Sequence, residues 1–172
     1  HSEAAKCYQY CINQGFNDHR VFTNYGVILK GLGNLLDAEI SCRKAIELKP
    51  DYADAHNNLG IILKDLGKLQ EAELSYRKTI ELKPNFAEAY SNLGFILKDL
   101  GNLQEAEKSY RKAMEIEPNL AEAYLNLGIL LRIKGDINQA LKYSEKSMSL
   151  KPWSILTSYT FNYKMKSNLS HN

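Results

Sequence analysis

No stretch of this 172-residue chain approaches the roughly 18 consecutive apolar residues that a membrane helix needs, which removes a spanning segment from consideration. Cysteine is scarce: Cys7, Cys11 and Cys42 form an odd set whose spacing fits no disulfide framework, the usage of a reducing, cytoplasmic compartment. The net charge of +2 is too small for a dedicated nucleic-acid binder. Acidic residues are absent from the last 22 positions, where Lys151, Lys164 and Lys166 give +3 and leave −1 for the remainder. Enzyme signals are missing too, with no phosphate loop, no nucleophile elbow and no zinc-like His/Cys set. Cys7 and Cys11 lie one helical turn apart, but Cys11 falls where a small core residue belongs. The chain is expected to be no enzyme and to need neither cofactor nor metal. It opens on His1 inside a helical pattern, as an excised fragment would.

What is present is a period. Gly26, Gly60, Gly94 and Gly128 are 34 residues apart, and Gly33, Gly67, Gly101 and Gly135 keep the same step. So do all four prolines, Pro50, Pro84, Pro118 and Pro152. A unit that short cannot bury a core alone and must stack on its neighbours, giving an open array with a long groove.

Each unit reads as two antiparallel helices. In the unit 53–86, Ala55, Leu59, Ile62, Leu63 and Leu66 share one face of a helix from Ala53 to Leu66. Gly67 then supplies the left-handed cap. A second helix over Leu69–Leu82 turns Ala72, Tyr76, Thr79 and Ile80 inward, and Pro84 prevents its continuation. Gly60 sits inside a helix at a cost of roughly 0.5–1 kcal/mol against alanine. Its four copies each precede a small alanine by twelve residues (Ala38, Ala72, Ala106, Ala140), so the spacing predicts two helix backbones in close approach. Phe22, Tyr76, Tyr90, Tyr110 and Tyr124 are expected to fill the wider gaps, and His56 to occupy an aromatic core place. Residues 3–14 match only a second helix, with Phe16 where proline is expected. The stretch Trp153 to Lys166 reads as a terminal capping helix.

The signature resembles the tetratricopeptide repeat: Ala-Tyr-Ser-Asn-Leu-Gly at 89–94, Leu-Gly-Asn-Leu-Gln-Glu-Ala at 100–106 and Tyr-Arg-Lys-Ala-Met-Glu-Ile-Glu-Pro at 110–118. The Asn-Leu-Gly triplets and Leu-Gln-Glu-Ala-Glu segments look most like the repeats of O-GlcNAc transferases and related bacterial proteins. The resemblance implies a right-handed α-α superhelix, its concave face lined by first helices, and protein or peptide ligands. The expected division is a single array over 1–172. It comprises a half repeat at 1–18, repeats at 19–52, 53–86, 87–120 and 121–154, and a capping helix with polar tail at 155–172.

Three columns on the first helices are candidates for binding. Asn24, Asn58, Asn92 and Asn126 each stand two residues before the mid-helix glycine. An asparagine amide both donates and accepts, so it can pair with a peptide backbone; in the resembling transferases such a ladder lines the concave groove. Neighbouring helices about 8–10 Å apart would present one amide to roughly every third residue of an extended ligand. The alternatives are that asparagine holds the adjacent helix in register, or that it was copied passively by duplication. Lys30, Lys64, Lys98 and Arg132 form a basic column six residues on, suited to an acidic ligand or simply a solvated stripe that Asp65 and Asp99 partly cancel. Val27, Ile61, Phe95 and Ile129 between them are either an apolar groove floor or helix-packing residues.

Some relatives grip a C-terminal carboxylate with a Lys just before the ladder Asn and an Asn three residues after it. Thr23, Asn57, Ser91 and Leu125 stand at the first place, and the apolar column at the second. That clamp is absent, which argues against chaperone-tail binding. The expected function is a protein–protein interaction module holding an extended segment in its groove, without nucleic acid or membrane. Two alternatives stand beside it: a substrate-recruitment arm of a larger enzyme such as a glycosyltransferase, and self-assembly, a homodimer through the array ends.

Overall fold

The computed structural model describes residues 2–151, and these are all-α. Among the described residues nine helices follow one another: α1 (Ser2–Asn13), α2 (His19–Gly31), α3 (Leu35–Leu48), α4 (Ala53–Asp65), α5 (Leu69–Leu82), α6 (Ala87–Asp99), α7 (Leu103–Ile116), α8 (Ala121–Ile133) and α9 (Ile137–Leu150). Each first helix packs against its own second helix, and each second helix against the next first helix. The backbones of the first helices α2, α4, α6 and α8 also approach one another in order, whereas successive second helices stand further apart and meet only through long side chains. One layer is therefore continuous and inner, the other spaced and outer, and the stack is an open solenoid. The capping helix and tail expected at 155–172, with Trp153, lie outside the described residues.

The hairpin turns follow from glycine. Gly33, Gly67, Gly101 and Gly135 have φ of +82°, +74°, +85° and +86°, a region that costs a side chain its Cβ clearance. At Gly67 the glycine N–H donates to the Lys64 carbonyl and the Lys68 N–H to the Leu63 carbonyl, both at 2.9 Å. These two bonds satisfy carbonyls that the helix end leaves free. The end of α1 uses the same device: Gly15 at φ +85°, with the Phe16 N–H donating to the Cys11 carbonyl. That explains how α1 stops without the proline.

The core runs the length of the array through Leu59, Ile62, Leu63, Ala72 and Tyr76 and their counterparts. Around it the outer layer is stapled by charge. Arg43 on α3 donates to Glu71 on α5 at 2.7 Å, and Arg77 on α5 to Glu105 on α7 at 2.8 Å. Burial raises the Glu39 carboxyl pKa, but hydrogen bonds from Lys68 and Arg43 outweigh it and leave the group below the ordinary range. Half-exposed pairs of this kind contribute little each, so apolar burial dominates the stability.

Three packing expectations need correction. A Cβ on Gly60 or Gly94 would meet not a facing backbone but a tyrosine ring, 2.8 Å from Tyr76 and 2.7 Å from Tyr110. Only in the flanking hairpins does the second-helix backbone stand among the nearest atoms: the Ala38 carbonyl at 3.2 Å from a Cβ on Gly26, and the Ala140 carbonyl at 3.1 Å from one on Gly128. The aromatics divide as well. Tyr76 and Tyr110 are fully buried, while Phe22, Tyr90 and Tyr124 are half-buried. His56 is also half-buried rather than in the core, with Nε2 2.8 Å from the Pro50 carbonyl oxygen, because its helix turns that position towards the preceding turn.

Candidate functional site: a pocket on the inner layer

The first helices α4, α6 and α8 line an open pocket of about 530 Å³ on the inner layer. Its apolar wall is Ile61, Phe95, Phe86 and Leu120. Its polar lining is Asn92, Asn126, Asn57 and Ser91, with Lys64, Glu88 and Glu122 as charged groups. Period 34 explains the convergence, because equivalent positions on stacked first helices point the same way. Five of the twelve predicted residues are thus brought together: Asn92, Asn126, Ile61, Phe95 and Lys64.

The other seven stand outside this pocket. Asn24 and Val27 are exposed on α2, Asn58 is half-buried on α4 and Ile129 half-buried on α8. The basic column is largely engaged. Lys30 reaches Asp65 of the next hairpin at 3.5 Å, and Lys64 reaches the same carboxylate at 3.7 Å. Lys98 pairs with Asp99 and lies 4.6 Å above the Phe95 ring, over which Lys64 also sits at 5.6 Å. Arg132 is exposed. A second cavity, of about 490 Å³, opens near the N-terminal end and is lined by Phe22, Tyr25, Leu29 and Ile40, with none of the predicted columns.

Reading by columns of asparagine and glycine missed several contributors. Asn57 is 8% exposed, lines the pocket and leaves its Oδ1 without a partner. Phe86 and Leu120 belong to the 34-step column Tyr52, Phe86, Leu120, just ahead of each first helix. Glu88 belongs to Arg20, Asp54, Glu88, Glu122. Both columns are visible in the sequence, but nothing in the spacing tells which faces inward. Among the described residues no group of three or more His, Cys, Asp or Glu side chains is placed to hold a metal ion, and no helix is long and apolar enough to cross a membrane.

Stacked helical hairpins with an open inner groove define an α-solenoid. Models of the tetratricopeptide repeat match residues 19–52, 53–86 and 85–152, and the chain belongs to that family. It is a protein–protein interaction module in a family of generally non-catalytic scaffolds. No curated protein matches the chain. Among solved structures it is similar to MamA, with a TM-score of 0.78 at 24% identity over 88% of each chain. It is similar to Pseudomonas aeruginosa PilF, with a TM-score of 0.72 at 26% identity over 78% of this chain and 61% of that one. It is also similar to the first repeat domain of Spaghetti (RPAP3) bound to the HSP90 peptide SRMEEVD, with a TM-score of 0.67 at 24% identity over 69% of this chain and 94% of that one. The closer likeness to O-GlcNAc transferase repeats rests on the sequence motifs alone.

Proposed function

We propose that the chain binds an extended protein segment along its inner face, with no catalytic step of its own, in a reducing, cytoplasmic setting. The observation that carries this is the pocket between α4, α6 and α8, where two ladder asparagines flank an apolar wall. An amide there meets a ligand backbone in partial shelter from water, where an unmade hydrogen bond is costly and a made one selective. Asn92 and Asn126 hold the backbone; Ile61 and Phe95 take ligand side chains. The Spaghetti domain, of like fold, is bound to a peptide. Without the carboxylate clamp, the segment recognised here is internal rather than a chain end.

Replacing Asn92 and Asn126 together by alanine tests the ladder. Alanine is the better helix former, so the melting temperature holds or rises slightly. Affinity for peptides selected from a random library on the wild-type protein drops by about 1–3 kcal/mol. Unchanged affinity in a folded variant rules the ladder out as a grip. A collapse of the melting temperature makes it structural.

One observation favours the assembly reading. Ile133, Ile137, Leu141 and Met148 on the last described hairpin are 57%, 53%, 57% and 41% exposed, an apolar face that suits contact between copies. Sedimentation over a range of concentrations separates a homodimer through the array ends from a monomeric peptide binder.

A further inference from the structure

In the hairpins that begin with α4 and α8, the second residue of the first helix faces the residue that follows the second helix. Asp54 pairs with Lys83 at 4.0 Å, and Glu122 with Lys151 at 3.1 Å. The same column continues at Glu88, whose counterpart 29 residues on is Glu117. A carboxylate therefore stands where these hairpins place a lysine, and among the described residues no cation pairs with Glu88. Glu88 lines the mouth of the inner pocket and is exposed. Its place in the first turn of α6 lets the helix dipole tolerate the charge but does not neutralise it.

A second, independent feature lies in the same pocket. Asn57 is more than nine-tenths buried and its Oδ1 accepts no hydrogen bond. An acceptor left so carries a desolvation cost, and this one is shielded from solvent by the protein itself. Of the two, the Glu88 carboxylate is the acceptor that a ligand reaches, and it is charged. Among the described residues, the only basic lining group is Lys64, which is occupied by Asp65 and by the Phe95 ring. Phe86 and Ile61 supply apolar surface of the kind that long basic side chains lie along while their head groups stay polar.

We infer that this pocket recognises a lysine or arginine side chain of an extended peptide, whose cationic head meets the Glu88 carboxylate while its aliphatic stem lies along Phe86 and Ile61. The inference rests on the peptide-groove reading and narrows it from any extended segment to a basic one.

An array of random short peptides, probed with the labelled protein, supplies the ligands. Arginine and lysine are enriched among the binders. Resynthesis of a binder with citrulline, the neutral isostere of arginine, weakens it about tenfold. The protein-side counterpart is Glu117→Lys, which restores the lysine found in the other hairpins and gives Glu88 an internal partner. It lies at an exposed helix end, so folding, checked by circular dichroism, is preserved. This variant loses about tenfold for the arginine peptide and nothing for the citrulline peptide. Binders without basic enrichment, or basic binders indifferent to Glu117→Lys, overturn the inference and leave the groove reading standing. An array with no binders overturns both.

Discussion

In α5 and α7 the residue sixteen positions after the mid-helix glycine is tyrosine, Tyr76 and Tyr110; in α3 and α9 it is Cys42 and Ser144. The same glycine therefore serves two different contacts. In the central hairpins it makes room for a buried aromatic ring, and in the flanking ones a small polar or thiol group and a backbone carbonyl crowd it. The central hairpins also present Asn92, Phe95 and Glu88 to the inner pocket, while the first hairpin spends Lys30 on an ion pair across to Asp65. Equal spacing does not give equal environment. A repeat can keep its backbone and exchange the interior, and with it the energetics of each interface.

The sharpest way to break this contrast is to give a central hairpin the interior of the last one. Tyr110→Ser removes a fully buried ring and is expected to destabilise by about 3–5 kcal/mol, as other large-to-small core changes do. The change also removes the group that forbids a side chain at Gly94, where a Cβ would stand 2.7 Å from the ring. Gly94→Ala alone therefore lowers the melting temperature, whereas in the Tyr110→Ser background it is neutral or stabilising, because alanine is the better helix former by about 1 kcal/mol. Chemical denaturation of the wild type, the two single variants and the double variant gives the coupling. Additive effects would mean that the ring does not explain the glycine.

That cycle also marks how far the sequence could be read. Helix hairpins, their turns and the order of packing follow from glycine, proline and apolar spacing, because those residues act through local backbone geometry. Gly67 needs φ of +74° whatever lies beyond it. Depth and partner do not follow, since they depend on what the neighbouring unit brings. Asn58 and Asn92 are equivalent by period, yet of the two only Asn92 lines the pocket, which takes Asn57, Ile61 and Lys64 from α4 instead. Asn57 stands beside Asn58 in the sequence, and nothing in the pattern distinguishes a buried amide from a more exposed one.

A smaller effect sharpens the same comparison. The Tyr76 and Tyr110 hydroxyl oxygens are buried and without partners. Removing a buried hydroxyl that makes no bond removes a desolvation cost, so Tyr110→Phe is expected to raise stability by about 1 kcal/mol at neutral pH. The flanking hairpins, with cysteine and serine at this place, have no equivalent gain. A loss on Tyr110→Phe, read from the urea midpoint, would show that the hydroxyl does find a partner in solution.

The smallest effect separates the regions by pH. Burial pushes the Cys42 thiol from its ordinary 9.0 up to about 12, and burial, with a further push from Asp65 or Asp99, raises Tyr76 and Tyr110 well above their ordinary 10.0. Each group stays protonated in the fold but ionises once the chain unfolds. The unfolded state thus gains by releasing protons, and stability falls as pH rises. Full stability from Cys42 is present below about pH 9 and drains away on the climb towards its folded value; the tyrosines begin to contribute only near pH 10. At about pH 9.5 the thiol of the first complete hairpin accounts for most of the loss, somewhat under about 1 kcal/mol. Cys42→Ala lowers stability at neutral pH through lost packing, yet its denaturation midpoint stays flat up to about pH 9.5 while the wild type declines. Parallel pH profiles for the two proteins would place the alkaline sensitivity elsewhere, and the first hairpin would lose its distinction from the central pair.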